Sequence, residues 1–421
     1  MINTETIKEQ IKLSLVWSSG ALMFGTLIAS ALNYLFVIIC GRLLEPLEFG
    51  ALLSGIAIIN LSISLSNPLQ ITVTAKVASA NDHLMTRQII NQLFKKTLVL
   101  GIAVLLVAPT ILTIFFNNPL LGNVFGSITL VVGILSVILL AIANGGLSAK
   151  KDFAAVATSQ IISSITRIIL LATIFFLGIR ADRISALAIY AGGFSVGAFY
   201  ATQKLSTTFS IRTTTNGNQQ IEINNHTLEN NKKFFALSFS LLITPFIIDQ
   251  LLIYLMHKEL SGDYGALMTL AKIPFFLAAP IISALLPHLL SAPASKKITH
   301  FRSACLLTLT LTAPPTILMM SSPFLTLKLS YGTKYLMLSS SLSVAIVGIL
   351  AHIASYLVMQ LIVIEQKAKV LLPLSAVFFI QIVGFLLSNA NIKSLIYLQT
   401  TIYILQLLFL VPAFFKTLRK L

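Results

Sequence analysis

Residues 48–54 read EFGALLS, and residues 263–269 read DYGALMT. The two stretches lie 215 positions apart in a chain of 421 residues, and each position pairs with an identical or chemically similar residue. A repeat at this spacing predicts a chain built from two similar halves, the alternative being a chance match of seven common apolar residues. In each copy the glycine allows a tight turn, and the carboxylates of Glu48 and Asp263 are expected to cap the start of a helix.

The composition is that of a membrane protein. Of all residues 56% are hydrophobic and 10% are charged, and the mean hydropathy is +0.92. Soluble domains carry about 25% charged residues, so the composition excludes that class. A bilayer core of about 30 Å needs about 20 apolar residues per helix. Such runs predict twelve transmembrane helices, at 14–41, 49–70, 93–116, 123–147, 153–179, 184–203, 234–256, 265–290, 303–327, 338–362, 371–389 and 394–415.

The positive charges follow a topological pattern. The formal net charge is +16. With the N-terminus in the cytoplasm, 20 of the 29 Lys and Arg residues fall in inner segments and 7 in outer segments, and Arg167 and Lys272 fall inside predicted helices. This positive-inside bias predicts that both termini are cytoplasmic. Membrane topology therefore accounts for most of the charge, and we expect no nucleic-acid partner.

A polar stretch at 204–233 divides the chain, and its TTTNGNQQ and NNHTLENNKK segments are typical of a flexible linker. The sequence predicts an N-terminal six-helix half at 1–203, a cytoplasmic linker at 204–233 and a C-terminal six-helix half at 234–421. Parallel repeats of this kind are a common build for secondary transporters, in which the substrate site lies between the halves.

Two segments resemble a known family. GRLLEPLEFG at 41–50 resembles the R-L-L-G-P-E-E-F-G turn of bacterial polysaccharide flippases, the O-antigen and capsule (Wzx-type) members of the multidrug/oligosaccharidyl-lipid/polysaccharide exporter superfamily. In the second half Asp249, GDYG at 262–265 and the Ala271-Lys272 pair resemble that family's D…G-x-Y…A-x-K stretch. The chain departs from the pattern at Glu45 and Gln250, where glycine and a basic residue are usual. The resemblance implies an all-α polytopic membrane protein, a V-shaped, MATE-like pair of six-helix bundles that exports a lipid-linked sugar.

Arg167 lies midway along the fifth predicted helix. Ionisable groups inside a bilayer are costly and are functional candidates by default. Gln160, Ser163, Ser164 and Arg167 have the spacing of one helix face, so this polar stripe should line water or protein rather than lipid. We expect a cytoplasm-facing cavity in which the Arg167 guanidinium holds phosphate or carboxylate. The alternative is an arginine satisfied by buried carbonyl groups.

Four further polar residues lie within predicted helices. Asn33 and Asp249 occupy similar positions before the two repeated stretches, so they are expected to face one cavity. Asp249 either binds a coupling ion, a proton or sodium, or pairs with Lys272. Lys272 is expected to bind an anionic group. His352 either contributes to substrate binding or is an ordinary buried histidine.

Other chemical signatures are absent from the sequence. It contains no Walker A loop and no H-E-x-x-H motif, so ATP does not drive the chain directly. The two cysteines form no disulfide framework and no metal-binding spacing, so no cofactor is expected. The predicted helix interiors carry more positive than negative groups. This balance favours an anionic cargo over a cationic drug.

The sequence therefore predicts a flippase, not an enzyme, in the bacterial inner membrane. It would move an undecaprenyl-diphosphate-linked oligosaccharide from the inner to the outer leaflet by alternating access. Arg167, Lys272, Asn33 and His352 are the predicted substrate-binding residues, and Asp249 is the predicted ion-coupling residue. The chain is expected to act as a monomer, with other polysaccharide-assembly proteins as candidate partners. Alternatives are a cation-coupled multidrug exporter of the same superfamily and, disfavoured by the short outer loops, a membrane glycan polymerase or acyltransferase.

Overall fold

A computed structural model describes residues 4–78, 88, 90–99, 101–102, 124–179, 181–211, 225–291, 293–364, 370–388 and 391–419. These residues are helical or form short turns, and none of them belongs to a strand. The first half contains five helices with defined bounds. They are α1 (Thr4–Leu43), α2 (Pro46–Ala78), α3 (Val124–Ala149), α4 (Phe153–Phe176) and α5 (Arg183–Ile211).

The second half contains eight helices within the described residues. They are α6 (Asn225–Met256), α7 (Ser261–Ala271), α8 (Ile273–Ser291), α9 (Ala294–Ser321), α10 (Pro323–Tyr331), α11 (Ser339–Ile364), α12 (Leu371–Leu387) and α13 (Ile392–Leu418). Single turns of 3-10 helix at Lys258–Leu260 and Leu336–Leu338 precede α7 and α11.

Most described helices match the predicted spans. The predicted span 265–290 is instead broken at Lys272, and the predicted span 303–327 is divided between α9 and α10. Eight of them are long and apolar enough to cross a membrane, and the bent pair α7–α8 makes a ninth span. Two shorter apolar helices, Leu241–Met256 and Leu371–Leu387, coincide with two more predicted spans. The remaining prediction, 93–116, falls largely outside the described residues. The predicted fold class, an all-α polytopic membrane protein, is confirmed.

The two halves pack on each other through a small set of helices. Within the first half α3 packs against α2 and α5, and α1 packs against α4. Within the second half α11 packs against α13, and α8 packs against α9. Between the halves α2 contacts α6 and α7, and α1 contacts α8. We call the end of the bundle with the α1–α2 and α6–α7 turns the Glu45 end, and the end with the α3–α4 turn the Lys150 end.

Both helices flanking the predicted linker extend into it. Helix α5 continues to Ile211, and α6 begins at Asn225. Residues 212–224 lie outside the described residues. The polar composition at 204–233 therefore does not prevent residues 204–211 and 225–233 from forming helix.

The repeated carboxylates do not cap their helices. Helix α2 begins at Pro46 and α7 at Ser261, so Glu48 and Asp263 lie inside the first helical turn. The expectation of side-chain caps is wrong, because each helix begins earlier than the motif suggests. A negative charge in the first turn still interacts favourably with the positive end of the helix dipole.

Backbone carbonyl groups at and near a proline in α6 accept hydrogen bonds from glutamines. Pro245 lies inside α6, where it lacks the N–H that would bond to the Leu241 carbonyl oxygen. Gln406 donates to the carbonyl oxygen of Leu242 at 2.9 Å, and Gln381 donates to that of Pro245 at 2.8 Å. Gln399 also donates to the Pro245 oxygen, at 3.3 Å. Side chains of α12 and α13 thus bond to the backbone of α6 beside the proline, as polar groups of neighbouring helices do in membrane bundles.

Candidate functional site

A cavity of about 480 Å³ lies between the two halves. Residues of α1 to α5 line one side of it, and residues of α6, α7 and α8 line the other, together with Lys272. Pockets for small molecules typically have volumes of about 300–1,000 Å³, so the cavity is large enough to hold a ligand group.

The two walls differ in chemistry. The first-half wall is rich in hydroxyl and carboxamide groups, which can bond to a hydroxyl-rich ligand. The second-half wall is mainly aromatic and aliphatic. Besides Arg167, the polar residues of the first wall are Thr26, Ser30, Asn33, Tyr34, Asn60, Ser64, Ser66, Gln70, Asn144, Gln160, Ser163, Ser164 and Tyr190. The apolar residues of the second wall include Ile243, Phe246, Ile247, Met268, Phe275 and Phe276.

Arg167 is held by neutral partners. Its Nε donates to the carbonyl oxygen of Tyr190 at 3.2 Å, its Nη2 donates to Ser163 Oγ at 3.1 Å, and its Nη1 donates to Asn33 Oδ1. The guanidinium carbon lies 4.0 Å and 4.1 Å from the ring centroids of Tyr190 and Phe194. The side chain is 0% exposed, and the rings contribute cation–π attraction. The predicted polar stripe of α4 does line the cavity, with Arg167 held against the wall.

The bond to Arg167 fixes the orientation of Asn33. A guanidinium can only donate, so Asn33 must turn its oxygen to Arg167. The amide nitrogen of Asn33 then has two N–H groups, which have no partner among the described residues. Arg167 uses three of its five N–H groups in the bonds above. Together these two residues present a positive charge and unused donors, the arrangement that an anion requires.

Glycine at position 193 makes room for Arg167. A Cβ at Gly193 would lie 2.5 Å from Arg167 Cγ and 2.6 Å from the Ser163 carbonyl oxygen, whereas a Cβ at Gly192 would meet only Leu170 Cδ1, at 3.9 Å. Gly193→Ala is therefore expected to lower the unfolding free energy by about 1–3 kcal/mol through overpacking. Gly192→Ala should raise it by up to about 1 kcal/mol through helix propensity. Thermal unfolding of the detergent-purified variants measures both, and equal melting temperatures would contradict the expected packing.

Lys272, which lines the cavity, and Asp249, which is buried beside it, form an ion pair in the second half. Lys272 Nζ lies 2.9 Å from Asp249 Oδ1 and 2.8 Å from Oδ2, and it also donates to the Phe246 carbonyl oxygen at 2.7 Å. Tyr264 Oη donates to Asp249 Oδ2 at 3.2 Å. The Lys272 side chain is 14% exposed and lines the cavity, whereas that of Asp249 is 0% exposed and does not. Of the two alternatives for Asp249, the structure contains the pairing with Lys272.

The expectation that Asn33 and Asp249 face one cavity is therefore only half right. Asn33 lines the cavity, whereas Asp249 does not, and the Asp249 carboxylate bonds to Lys272 and Tyr264. A buried carboxylate needs a charged partner and several donors. Among the described residues these groups are Lys272, Tyr264 Oη and the backbone N–H of Gln250, all in the second half.

His352 does not reach the cavity in this conformation. It is 0% exposed, its ring stacks on Phe246 at 4.9 Å, and Nδ1 bonds to Gln406 Oε1 at 2.9 Å. Phe246 and Phe275 lie between His352 and the ligand space. Among the described residues Nε2 has no hydrogen-bond partner. The sequence predicts a substrate-binding role for His352, but in this conformation aromatic side chains cover the histidine and it does not line the cavity.

The charged lining of the cavity is positive. Among the described lining residues Arg167 and Lys272 are the charged ones, and no carboxylate is present. Among all the residues that the structure describes, no group of three or more His, Cys, Asp or Glu residues is placed to hold a metal ion. The site can therefore attract an anionic group, and its walls can bind polar and ring-shaped parts of a ligand.

The carboxamides of the first wall were missed from the sequence. Asn60, Gln70 and Asn144 all line the cavity, and Asn60 Oδ1 accepts a hydrogen bond from Tyr190 Oη at 3.0 Å. The sequence could have indicated them, since each is a carboxamide within a predicted apolar helix, where burial of a polar group costs free energy and marks a candidate functional residue.

The Glu45 end of the cavity is closed by contacts between the halves. We call the packing of Pro46, Gly50 and Leu53 against Ser261, Gly262 and Gly265 the seal. A Cβ at Gly262 would overlap the Pro46 carbonyl oxygen, and one at Gly50 would overlap Ser261 Oγ.

Polar bonds reinforce this closure. Gln250 Nε2 donates to the carbonyl oxygens of Gly50 at 3.3 Å and Ser261 at 3.0 Å. Lys334 Nζ donates to the Leu44 carbonyl oxygen at 2.7 Å. The glutamine that departs from the family pattern thus joins α6 to both sides of the seal.

Comparison with known proteins gives a clear structural likeness. No family model and no curated protein sequence matches the chain. The lipid II flippase MurJ, in an inward closed conformation, has a TM-score of 0.66 at 14% identity, covering 96% of this chain and 90% of that one. An inward-facing multidrug resistance MATE family transporter of the MOP superfamily has a TM-score of 0.64 at 12% identity, covering 94% of each chain. The chain has the fold of these transporters.

A third structure extends the likeness. A MATE transporter from Vibrio cholerae has a TM-score of 0.57 at 16% identity and covers 99% of both chains. In the present chain the cavity lies between the two halves, where the sequence predicts a substrate site.

Proposed function

We propose that the chain is a flippase that moves an undecaprenyl-diphosphate-linked oligosaccharide across the bacterial inner membrane by alternating access. One observation carries the proposal: the inter-half cavity has a positive charged lining, from Arg167 and Lys272, beside a wall of hydroxyl and carboxamide groups. A lipid-linked glycan combines an anionic diphosphate with a hydroxyl-rich sugar, and so matches both features.

The residues of the site take distinct roles in this proposal. Arg167 attracts the anionic group electrostatically from its buried position, and Asn33 donates hydrogen bonds from the wall. Lys272 approaches the ligand from the opposite wall. The aromatic rings of Phe246, Phe275 and Phe276 offer flat apolar faces to sugar rings or to the first prenyl unit.

The positive-inside bias supports a cytoplasmic Lys150 end and an outer Glu45 end. The seal would then keep the cavity from the outer side, and the ligand would enter from the cytoplasmic leaflet. Outward movement of two negative charges gains about 4–5 kcal/mol per 100 mV of membrane potential. Asp249 remains the residue proposed for proton or sodium coupling, and such an ion would have to replace Lys272 at the carboxylate.

A cation-coupled multidrug exporter is the second candidate, favoured by the likeness to MATE transporters. A cationic drug would have to enter a cavity whose charged lining is positive, which like-charge repulsion disfavours. The two candidates differ in what a deletion strain accumulates.

The deciding experiment locates lipid-linked glycan in a strain that lacks this chain. Spheroplasts and inverted membrane vesicles are probed with a lectin or a glycosidase, and the same strain complemented with the wild-type chain is the control. We expect the precursor to accumulate in the cytoplasmic leaflet alone. Accumulation in the outer leaflet would instead indicate a downstream enzyme. A normal precursor level with new drug sensitivity would favour the exporter.

A further inference from the structure

The span that carries Lys272 is broken at this residue. Helices α7 and α8 meet at an angle of 48°, and Lys272 is the single residue between Ala271 and Ile273. The second residue of α8 is Pro274, which has no backbone N–H and cannot continue the ladder of α7. The backbone at Lys272 is therefore the natural place for the angle to change.

The two parts of the broken span share α11 and α1 as neighbours but differ in the others. Helix α7 packs against α2 of the other half, through Gly262 and Gly265 in the seal. Helix α8 packs against α9 and α11 of its own half and against α1. A change of angle at Lys272 would move α7 relative to α8, and so would alter the seal.

Lys272 has no spare donor in this conformation. An ammonium group has three N–H donors, and its three acceptors here are both oxygens of Asp249 and the carbonyl oxygen of Phe246. Asp249 and Phe246 both belong to α6, so the ammonium joins the break in the span to a neighbouring helix. A ligand in the cavity can bond to Lys272 only if one of these acceptors is released.

The Asp249 carboxylate accepts two further hydrogen bonds, both from uncharged donors. Tyr264 Oη, from α7 itself, donates to it at 3.2 Å, and the backbone N–H of Gln250 donates at 2.8 Å. Loss of Lys272 would leave a buried carboxylate without a charged partner, which is strongly unfavourable. The pair therefore joins the break in the span to α6 through a bond that is costly to lose.

We propose that the Lys272–Asp249 ion pair is a latch that holds α7 in the seal, and that an anionic group in the cavity releases it by competing with Asp249 for the lysine. The inference rests on the proposed function, because it requires an anionic ligand. Asp249 then acts as a positioning residue for Lys272. Ligand binding and opening of the Glu45 end are coupled, because both require Lys272 to leave Asp249.

The first test measures binding of a short prenyl diphosphate to the full-length purified chain by calorimetry. In Asp249→Asn the competitor for Lys272 is neutral, so the affinity should rise at least about fivefold, the lower range of coupling between sites. Transport in proteoliposomes should fall, because the seal is no longer held closed. The control is Glu259→Gln, an exposed carboxylate in the turn before α7, which should change neither quantity.

The second test measures opening directly. Spin labels are placed at Phe176 and Met337, which are exposed at the Glu45 end of the two halves, after Cys40 and Cys305 are changed to alanine. In the wild-type background the label separation should increase when the prenyl diphosphate is added. In Asp249→Asn it should be increased already without ligand.

The outcomes distinguish failure of the latch proposal from failure of the proposed function. If the wild-type chain binds prenyl diphosphate but Asp249→Asn binds it no more tightly and keeps the closed label distance, the latch is wrong and the proposed function stands. If the wild-type chain does not bind the probe at all, the proposed function itself is wrong. A destabilised Asp249→Asn protein would show a lower melting temperature and weaker binding, which is opposite to the expected result.

Discussion

Gly262→Val should prevent the Glu45 end of the molecule from closing. A Cβ at Gly262 would overlap the carbonyl oxygen of Pro46, and backbone atoms cannot move aside as a flexible side chain can. Overpacking of a well-packed contact costs about 1–3 kcal/mol, which shifts the balance between closed and open forms by about fivefold to more than a hundredfold. Spin labels at Phe176 and Met337 should then report a larger separation even without ligand, and transport in proteoliposomes should stop.

The matched control for this change is Gly192→Val in α5. A Cβ there would meet only Leu170, at 3.9 Å, so the same substitution should leave the label separation as it is in the wild type. A closed label distance and full transport in Gly262→Val would mean that the two halves do not need the close backbone approach described here.

Arg167→Met should abolish transport and weaken prenyl diphosphate binding by at least about thirtyfold, the lower limit for truncating a buried hydrogen-bonded charge. The change removes the positive charge of the first wall and frees Asn33 Oδ1 and the Tyr190 carbonyl oxygen. Without Arg167, Asn33 is no longer held with its amide nitrogen available to the ligand. Binding by calorimetry and glycan export in a complemented deletion strain measure the two effects.

Two further variants make this prediction specific. Arg302→Met removes an exposed arginine from α9, and export should be unchanged. Arg167→Lys keeps the charge but loses the planar fork, so binding should lie between those of the wild type and Arg167→Met. Undiminished export by a stable Arg167→Met protein would remove this residue from the proposed site.

The fold was largely predictable because its signals are long and local. Apolar runs of about 20 residues specify spans whatever their neighbours are, and the central polar stretch separates two sets of them. The polar stripe that ends at Arg167 was equally predictable, since four residues at helical spacing must share one face of a helix. The structure places all four on the wall of the cavity.

The site was less predictable because it depends on whether a side chain lines the cavity or is buried behind the lining residues. Asp249 on α6 is paired with Lys272 at the break between α7 and α8, yet only the lysine lines the cavity. His352 was a reasonable candidate from its position along a helix, but two phenylalanines cover it. The glutamine bonds to the carbonyl groups near Pro245 involve residues more than 130 positions away in sequence. Such relations arise from tertiary packing, and no pattern within one helix encodes them.

The seal is also a contact between similar segments. Its two sides are the starts of α2 and α7, where the two repeated heptapeptides lie, and Gly265 of the second packs against Leu53 of the first. In a symmetric dimer a contact between like surfaces is isologous, and one substitution changes both sides at once. Within a single chain a substitution in either segment alters one side of the seal alone, so the two sides can differ, as Phe49 and Tyr264 do.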